Sequence, residues 1–389
     1  MRVVLAPDSF KESMSAARAA EAMAAGVRDV DPGATCVPVP MADGGEGLLA
    51  VLPGLQLRTV PLTGPLGDPV RAELGWWPER RLAVVESAQA VGVHLVPPAE
   101  RRVLRADSGG VGTLIRAALD LGAERIVLGL GGTVTSDGGA GMLRELGAVL
   151  VSDSGEVLPP GVPESLARVD PHGLDPRLSR VQIEIAGDVR NPLLGPRGAA
   201  AVFAPQKGAD LEQVRRIEAA LTRMAGALDV MAGVHGAIPP GRPTSWVATT
   251  PGAGAAGGLG AALLALGARI RPGVELVAEA VDLAGAIRSA DLVLTGEGRL
   301  DRQTLDGKVA AGVCRIAAGA GVPVVVLAGT VHDVRPADLG AAAVRPIADG
   351  LPLPEALARG PELLRRATAE LITDRPWDPR PGPQPSGRR

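Results

Sequence analysis

Apolar and polar positions alternate along this chain in three textures. Arg2–Ala6 is a short apolar run read as a strand. A polar loop, Pro7-Asp8-Ser9-Phe10-Lys11-Glu12-Ser13, follows it. A helix is predicted from about Ser15 to Val27, with Ala20, Met23 and Val27 on one face and a stop at Asp31-Pro32-Gly33. Cys36–Pro40 reads as a second strand, leading into the Gly-rich stretch Met41–Gly47 and a short helix. From Leu55 the pattern has period two: Val70, Ala72, Leu74 and Trp76 share a face, Arg81–Glu86 is another strand, and the connections are short. That is the signature of an antiparallel meander. The adjacent Trp76 and Trp77 point to opposite faces and read as packing.

Alternating strands and helices then return. Asp107–Gly112 opens a helix to about Leu121, and Ile126–Leu128 is a strand that runs into a Gly-rich loop and a helix near Met142–Leu146. Val181–Ile185 is a strand, Leu211–Leu228 a long helix, Pro239–Pro243 a loop, Trp246–Thr250 a poor strand and Leu259–Leu266 an apolar helix. The last part predicts a helix over Val274–Ile287 and a buried strand Leu292–Leu294 that breaks at Gly296 into a polar loop. A helix carrying Val309, Val313 and Ile316, strands Pro323–Leu327 and Val344–Ile347, and a helix near Pro361–Ile372 complete it.

The fold class is therefore α/β. A Rossmann-like, doubly wound domain built from residues 1–55 and 286–375 is interrupted by an inserted α/β domain with a mixed sheet, residues 56–285. The tail 376–389, rich in Pro and Arg, is read as disordered. A length of 389 residues suits two to three domains.

Composition narrows the chemistry. A net charge of −3 gives no electrostatic case for nucleic acid or for an anionic membrane surface. The uncharged run Pro243–Ala268 is too weakly apolar for a convincing span. A strand at the very start leaves no room for a signal peptide, and Cys36 and Cys314 make no disulfide framework, so a cytoplasmic protein is expected. The four histidines share no spacing that suggests zinc or a Ser-His-Asp arrangement. Of 40 basic residues only three are lysine, Lys11, Lys207 and Lys308, and each sits in a short polar stretch. A composition that favours arginine keeps lysine where a compact, directed charge is required, as at a phosphate or carboxylate.

These stretches follow strands, where open α/β sheets bind ligands. The richest is Asp291–Lys308, whose loop carries Glu297, Arg299, Asp301, Arg302, Gln303, Asp306 and Lys308. Asp8 and Lys11 reach the same crevice if the two strands are neighbours. Asp43 and Glu46 form a second acid pair, suited to a Mg²⁺ ion that keeps several waters. Gly129–Gly139, which includes Gly131, Gly132, Thr133, Thr135, Asp137 and Gly138, offers backbone N–H groups at a helix start as an anion seat. Asp188 and Asn191 make an acid and amide pair for a substrate hydroxyl. Gly252–Gly257 matches GxGxxG literally, but close helix packing or a phosphate-facing helix start explains it better than a dinucleotide site. No GxxxxGK[ST] occurs, so a nucleotide site would not be of P-loop type.

The motifs APDSFKES, PMADGGEG, GLGGTVTSDGGAGM, DVRNPLLG, FAPQKGAD, GAGAAGGLGAAL and TGEGRLDRQTLDGK, in this order, resemble the bacterial glycerate kinases of the first, two-domain type. The resemblance runs from the first strand to about Ala328. It implies phosphoryl transfer from ATP, with a divalent metal, to D-glycerate, a small-molecule substrate, giving 2-phosphoglycerate. The departures are Glu12 where the family usually has Gly, Thr133 and Ser136 in the Gly-rich loop, and Gly187 before Asp188. The expected roles are as follows. Lys11, Lys207, Lys308 and Arg299 meet anions, their division between glycerate and ATP being open. Asp43, Glu46, Glu297 and Asp301 hold Mg²⁺ or its water shell. Asp188, and after it Asp8, orients or deprotonates the substrate hydroxyl. Ser9, Asn191, Gln206 and Gln303 contact substrate, and Gly131–Gly138 seats phosphates. Oligomeric state is open. So are a kinase of another hydroxy acid or of the 3-hydroxyl, a dehydrogenase suggested by Gly252–Gly257 alone, and a non-catalytic sugar-acid sensor.

Overall fold

The computed structural model describes residues 1–45, 47–234 and 245–377. The strands, in chain order, are β1 (Arg2–Leu5), β2 (Thr35–Pro38), β3 (Gln56–Thr63), β4 (Pro69–Trp77), β5 (Leu82–Glu86), β6 (Arg125–Gly129), β7 (Val149–Ser152), β8 (Leu166–Asp170), β9 (Gln182–Ala186), β10 (Arg269–Arg271), β11 (Leu292–Leu300), β12 (Val324–Val331) and β13 (Ala343–Pro346). Contacts divide the chain into two units, one made of Met1–Asp43 with everything from Val274 onward, the other Gly44–Gly273. The expected loop at 239–243 and the tail beyond residue 377 lie outside the described residues.

In the first unit every strand pairing is parallel and the order is β13-β12-β11-β1-β2. Strands buried on both faces read as continuous apolar runs, as Val3-Val4-Leu5, Leu292-Val293-Leu294 and Val324–Leu327 do. Numbered within this unit the order is second, first, third, fourth, fifth. It is the doubly wound arrangement whose ligand crevice opens where the winding reverses, here between β1 and β11. Helix Ala16–Val30 packs along Gly360–Asp374, and Gly26 sits at the crossing, where a Cβ would lie 2.7 Å from that of Thr368. A glycine inside a helix costs about 1 kcal/mol relative to alanine, and the close approach offsets it.

Two expectations for this unit need correction. The strand read as ending at Leu294 continues to Leu300, because β12 pairs with it as far as Leu300 opposite Val331. Gly296 and Gly298, read as breakers, lie inside the strand. The helix expected over Val274–Ile287 is two helices, Gly273–Ala280 and Leu283–Arg288. Asp282 separates them, left-handed at φ +49°, its side chain accepting from the Gly285 N–H to start the second helix.

In the second unit the sheet order is β10-β9-β6-β5-β4-β3. β3, β4 and β5 form the antiparallel meander, and β5, β6, β9 and β10 are parallel. Trp76 is buried, while Trp77 on the other face stacks under the Arg80 guanidinium at 3.8 Å. The poor strand expected at Trp246–Thr250 is a short helix, Trp246–Thr249, closed by the Thr250 hydroxyl on the Trp246 carbonyl. The seams fall at Asp43/Gly44 and Gly273/Val274 rather than near residues 55 and 286. The helix Leu48–Val51 belongs with β5, since the Leu49 N–H donates to Glu86 Oε1 at 2.8 Å.

Candidate active site

In the first unit, the ladder between β1 and β11 extends past the strand end. The Ala6 and Asp8 N–H groups donate to the Leu294 and Gly296 carbonyls, both at 2.8 Å, which fixes Asp8 at the point where the winding reverses. From the other side, the Met41 N–H bonds the Pro7 carbonyl and brings in Asp43. The loop after β1 lies directly on β11. A Cβ at Gly296 would collide with the Leu327 carbonyl oxygen and stand 3.3 Å from the buried Phe10 ring, whereas one at Gly298 would meet Lys11 N at an ordinary 3.4 Å. Glycine at position 296 therefore serves the close approach of β11 to the β12 backbone.

A cavity of about 450 Å³ opens there, lined by Asp8, Ser9, Lys11, Asp43, Glu297, Arg299 and Lys308 among others. Glu297 is 6 % exposed. Its Oε1 accepts from the Thr304 hydroxyl at 2.9 Å, and Lys308 Nζ lies 3.9 Å from Oε2. Thr304 sits in the 3-10 turn Arg302–Asp306, and Lys308 stands just beyond it at the start of the helix Val309–Ala320. Asp301 caps the 3-10 turn by accepting from the Gln303 N–H, and the Thr304 hydroxyl in turn accepts from the Asp301 N–H. Burial pushes the Asp8 carboxyl up to about 7, and Asp43 and Glu297 reinforce it against the Ser9 N–H and Lys11. Burial likewise pushes Glu297 up to about 7, with Lys308 and the Thr304 hydroxyl pulling the other way. Carboxyl groups that raise one another's pKa at a strand end, with lysines beside them, are the electrostatics expected where a cation or a proton is to be held.

Among the described residues no three His, Cys, Asp or Glu side chains converge closely enough to cage a metal. Asp43 and Glu297 instead fit a hard cation held by one or two carboxylates with substrate oxygens and water completing its shell. Asp301 and Gln303 do not line the cavity. Asp301 is engaged with Arg299 at 3.1 Å and with its own turn, so its role is to shape the loop. Glu46 lies outside the described residues.

In the second unit a cavity of about 330 Å³ forms beyond β6, lined by Gly131, Gly132, Thr133, Arg101, Val189, Gln206, Lys207 and their neighbours. Lys207 is buried and donates to the Thr135 carbonyl at 2.5 Å. Burial pulls its pKa down to about 8, while the Asp137 carboxylate resists. Arg101, which no sequence motif singles out, braces the cavity by donating to the carbonyls of Val93, Val96 and Gln206 at 3.3–3.4 Å.

The second half of the Gly-rich loop does something other than expected. Asp137 is fully buried, and its carboxylate accepts from the Ser108 N–H and hydroxyl and from the N–H groups of Gly139 and Gly141. It staples the loop to the helix Gly109–Asp120 instead of facing a ligand. Burial and the neighbouring Asp107 raise its pKa. Thr135 is wholly buried, and Gly138, at φ +68°, packs on Met224 and Leu221. Of the expected phosphate-seating stretch Gly131–Gly138, Gly131, Gly132 and Thr133 line the cavity, next to Leu130.

The GxGxxG run is likewise structural. Ala256, Gly257 and Gly258 are left-handed, and the Gly257 carbonyl accepts from the Gly138 N–H at 3.0 Å, so the glycines let this turn lie against the Gly-rich loop. A helix rather than a strand precedes the run, which removes the dinucleotide fingerprint. Asp188 follows β9 half-buried, beside Val189, but does not line the cavity. Asn191 Nδ2 donates to the Arg197 carbonyl at 2.7 Å and its own carbonyl accepts from Gly252 and Gly254, so it fastens loops.

A profile of the glycerate kinase family matches residues 3–374. A glycerate kinase of Halalkalibacterium halodurans is 43% identical over 385 residues, covering 97% of this chain and 98% of that one. A protein of Escherichia coli named glycerate 2-kinase is 42% identical over 340 residues, 86% of each chain. A crystal structure from Salmonella typhimurium LT2, assigned as glycerate kinase 2, has a TM-score of 0.82 and 42% identity, covering 96% of this chain and 98% of that one.

Proposed function

The chain belongs to the glycerate kinase family, and from that premise we propose that it transfers the terminal phosphoryl group of ATP to the 2-hydroxyl of D-glycerate, giving 2-phosphoglycerate and ADP. The observation that carries this reading is the set Asp8, Asp43, Glu297, Lys11 and Lys308 around one cavity where the winding of the parallel sheet reverses. Phosphoryl transfer asks mainly for positioning and for charges placed against the transferring oxygens. Lys11 and Lys308 supply positive charge, and Glu297 with the Thr304 hydroxyl holds Lys308 in place. Asp43 and Glu297 are the groups that would hold Mg²⁺, which when bound supplies further positive charge to phosphate oxygens.

Asp8, with its pKa near neutrality, is matched to accepting the proton of the substrate hydroxyl. We rank it ahead of Asp188 because it lines the cavity that holds Lys11 and Lys308 and Asp188 does not. In the second unit, the N–H groups of the Gly131–Thr133 turn together with Arg101 and Lys207 would receive an anionic part of a substrate. We further propose that the protein acts in the cytoplasm on small molecules, without nucleic acid. No described helix is long and apolar enough to cross a membrane.

The test is purified protein with D-glycerate and MgATP, in parallel tubes with enolase alone and with phosphoglycerate mutase plus enolase. Phosphoenolpyruvate from enolase alone is the expected result. A requirement for the mutase would assign the product as 3-phosphoglycerate, and no ADP from folded protein would overturn the kinase reading. Lys308→Ala and Asp8→Asn are each expected to lose about 3 kcal/mol of transition-state stabilisation, roughly 100-fold in kcat/KM. Should Asp188→Asn show that loss and Asp8→Asn turn over normally, the proton acceptor is Asp188.

A further inference from the structure

A second, larger concavity of about 970 Å³ lies in the second unit and shares no lining residue with the Gly131–Thr133 cavity. Its walls are the turn after β3, the segment 99–107, the start of the helix Gly109–Asp120, and Pro159-Pro160. Four arginines line it against three carboxylates. Two of these arginines are already neutralised. Arg144 pairs with Asp107 at 2.7 Å, and Arg116 with Glu145 at 3.0 Å. Asp107 is further consumed by the N–H groups of Gly109 and Gly161, so it has little capacity for another cation.

Arg102 and Arg105 differ from that pair. Both are exposed, and neither makes an ion pair or a side-chain hydrogen bond among the described residues. They stand on one tight turn, closed by the Arg105 N–H on the Arg102 carbonyl at 2.8 Å, with Ala106 also bonded back to Arg102. Two guanidinium groups are thereby presented from one fixed backbone to one groove, whose Arg116 and Arg144 walls are held by their own carboxylates. Glu100 is the remaining acid on the lining. A guanidinium is a planar fork that meets phosphate oxygens two at a time, and it is less strongly hydrated than an ammonium group, so its contacts with phosphate are strong and directional. A volume of about 970 Å³ exceeds what a three-carbon acid fills and suits a ligand up to nucleotide size.

We propose that this groove is a binding site for a small phosphorylated ligand, gripped by Arg102 and Arg105, separate from the groups assigned above to phosphoryl transfer. The proposal does not rest on which substrate the catalytic cavity takes.

The experiment is calorimetric titration of the full chain with inorganic pyrophosphate in metal-free buffer. Wild type, Arg102→Ser/Arg105→Ser and, as a second probe, malonate are compared. Both arginines are exposed, so the variant is expected to melt within about 1 °C of wild type and to retain D-glycerate-dependent ADP formation. Losing two charge-assisted contacts should weaken one pyrophosphate-binding event roughly 100-fold, leaving any other event in place. Superimposable titrations of wild type and variant would overturn the proposal. So would malonate binding to wild type as tightly as pyrophosphate and being lost in the same variant, because the groove would then be a general anion surface.

Discussion

Replacing Asp8 with asparagine should make this protein more stable at alkaline pH while disabling it. Folding moves the Asp8 carboxyl from its ordinary value of 3.8 to about 7, chiefly by burial and then by repulsion from Asp43 and Glu297. The folded chain therefore binds this proton more tightly than the unfolded chain does. Below about pH 4 the group is protonated in both states and stability is unaffected. As pH climbs from about 4 to about 7 the unfolded chain releases the proton first, and stability falls. Above about 7 the cost is complete.

The difference between 3.8 and about 7, at about 1.4 kcal/mol for each tenfold step, sets a ceiling on the order of 4 kcal/mol. Asparagine keeps the side chain's shape and an oxygen to accept from the Ser9 N–H, but it carries no charge and also relieves Glu297 and Asp43. At roughly 2–4 °C per kcal/mol for a unit of this size, Asp8→Asn should melt several degrees above wild type at pH 8.5. The two should converge near pH 4. The assay is differential scanning calorimetry in EDTA, so that no divalent cation relieves the repulsion in wild type. Equal melting temperatures at pH 8.5 would show that Asp8 is not held at an electrostatic cost, and its assignment as a proton acceptor near neutrality would fall with it.

Two further outcomes concern stability alone. Glu12 adopts φ +63°, a conformation that costs a non-glycine residue roughly 1–2 kcal/mol, so Glu12→Gly should raise the urea midpoint by about 1 kcal/mol of stability, net of the entropy glycine adds to the unfolded chain. A lower midpoint would mean that the Glu12 side chain contributes contacts outweighing its strain. Asp137→Ala leaves the buried N–H groups of Ser108, Gly139 and Gly141 without their acceptor and should cost about 3 kcal/mol or more in equilibrium unfolding, whatever it does to turnover. Loss of ATP affinity at unchanged stability would return Asp137 to the ligand site.

Local pattern alone determined a good deal here. The apolar runs of β1, β11 and β12 identified buried parallel strands because strands covered on both faces read as near-continuous apolar stretches rather than alternating ones. The period-two run at Val70–Trp76 marked the meander. Three lysines in an arginine-rich chain, together with acids after strands, pointed to Asp8, Lys11, Asp43, Glu297 and Lys308 before any geometry was known, and those five line one cavity.

What the pattern misjudged was the purpose of glycines and of buried acids. Gly296 and Gly298 are read locally as breakers, yet they lie within a strand because β12 pairs alongside them as far as Leu300. Asp137 and Asn191 look like ligand groups in sequence, and only the neighbours that tertiary structure brings to them, Ser108 and Gly141 for one and Arg197 and Gly254 for the other, reveal staples. Arg101, Arg102 and Arg105 carry no motif, and the turn that aims the last two into one groove exists only in the fold. Side-chain chemistry and spacing are properties of the chain, whereas the partner that consumes a hydrogen bond, and the burial that moves a pKa, are set by residues distant in sequence.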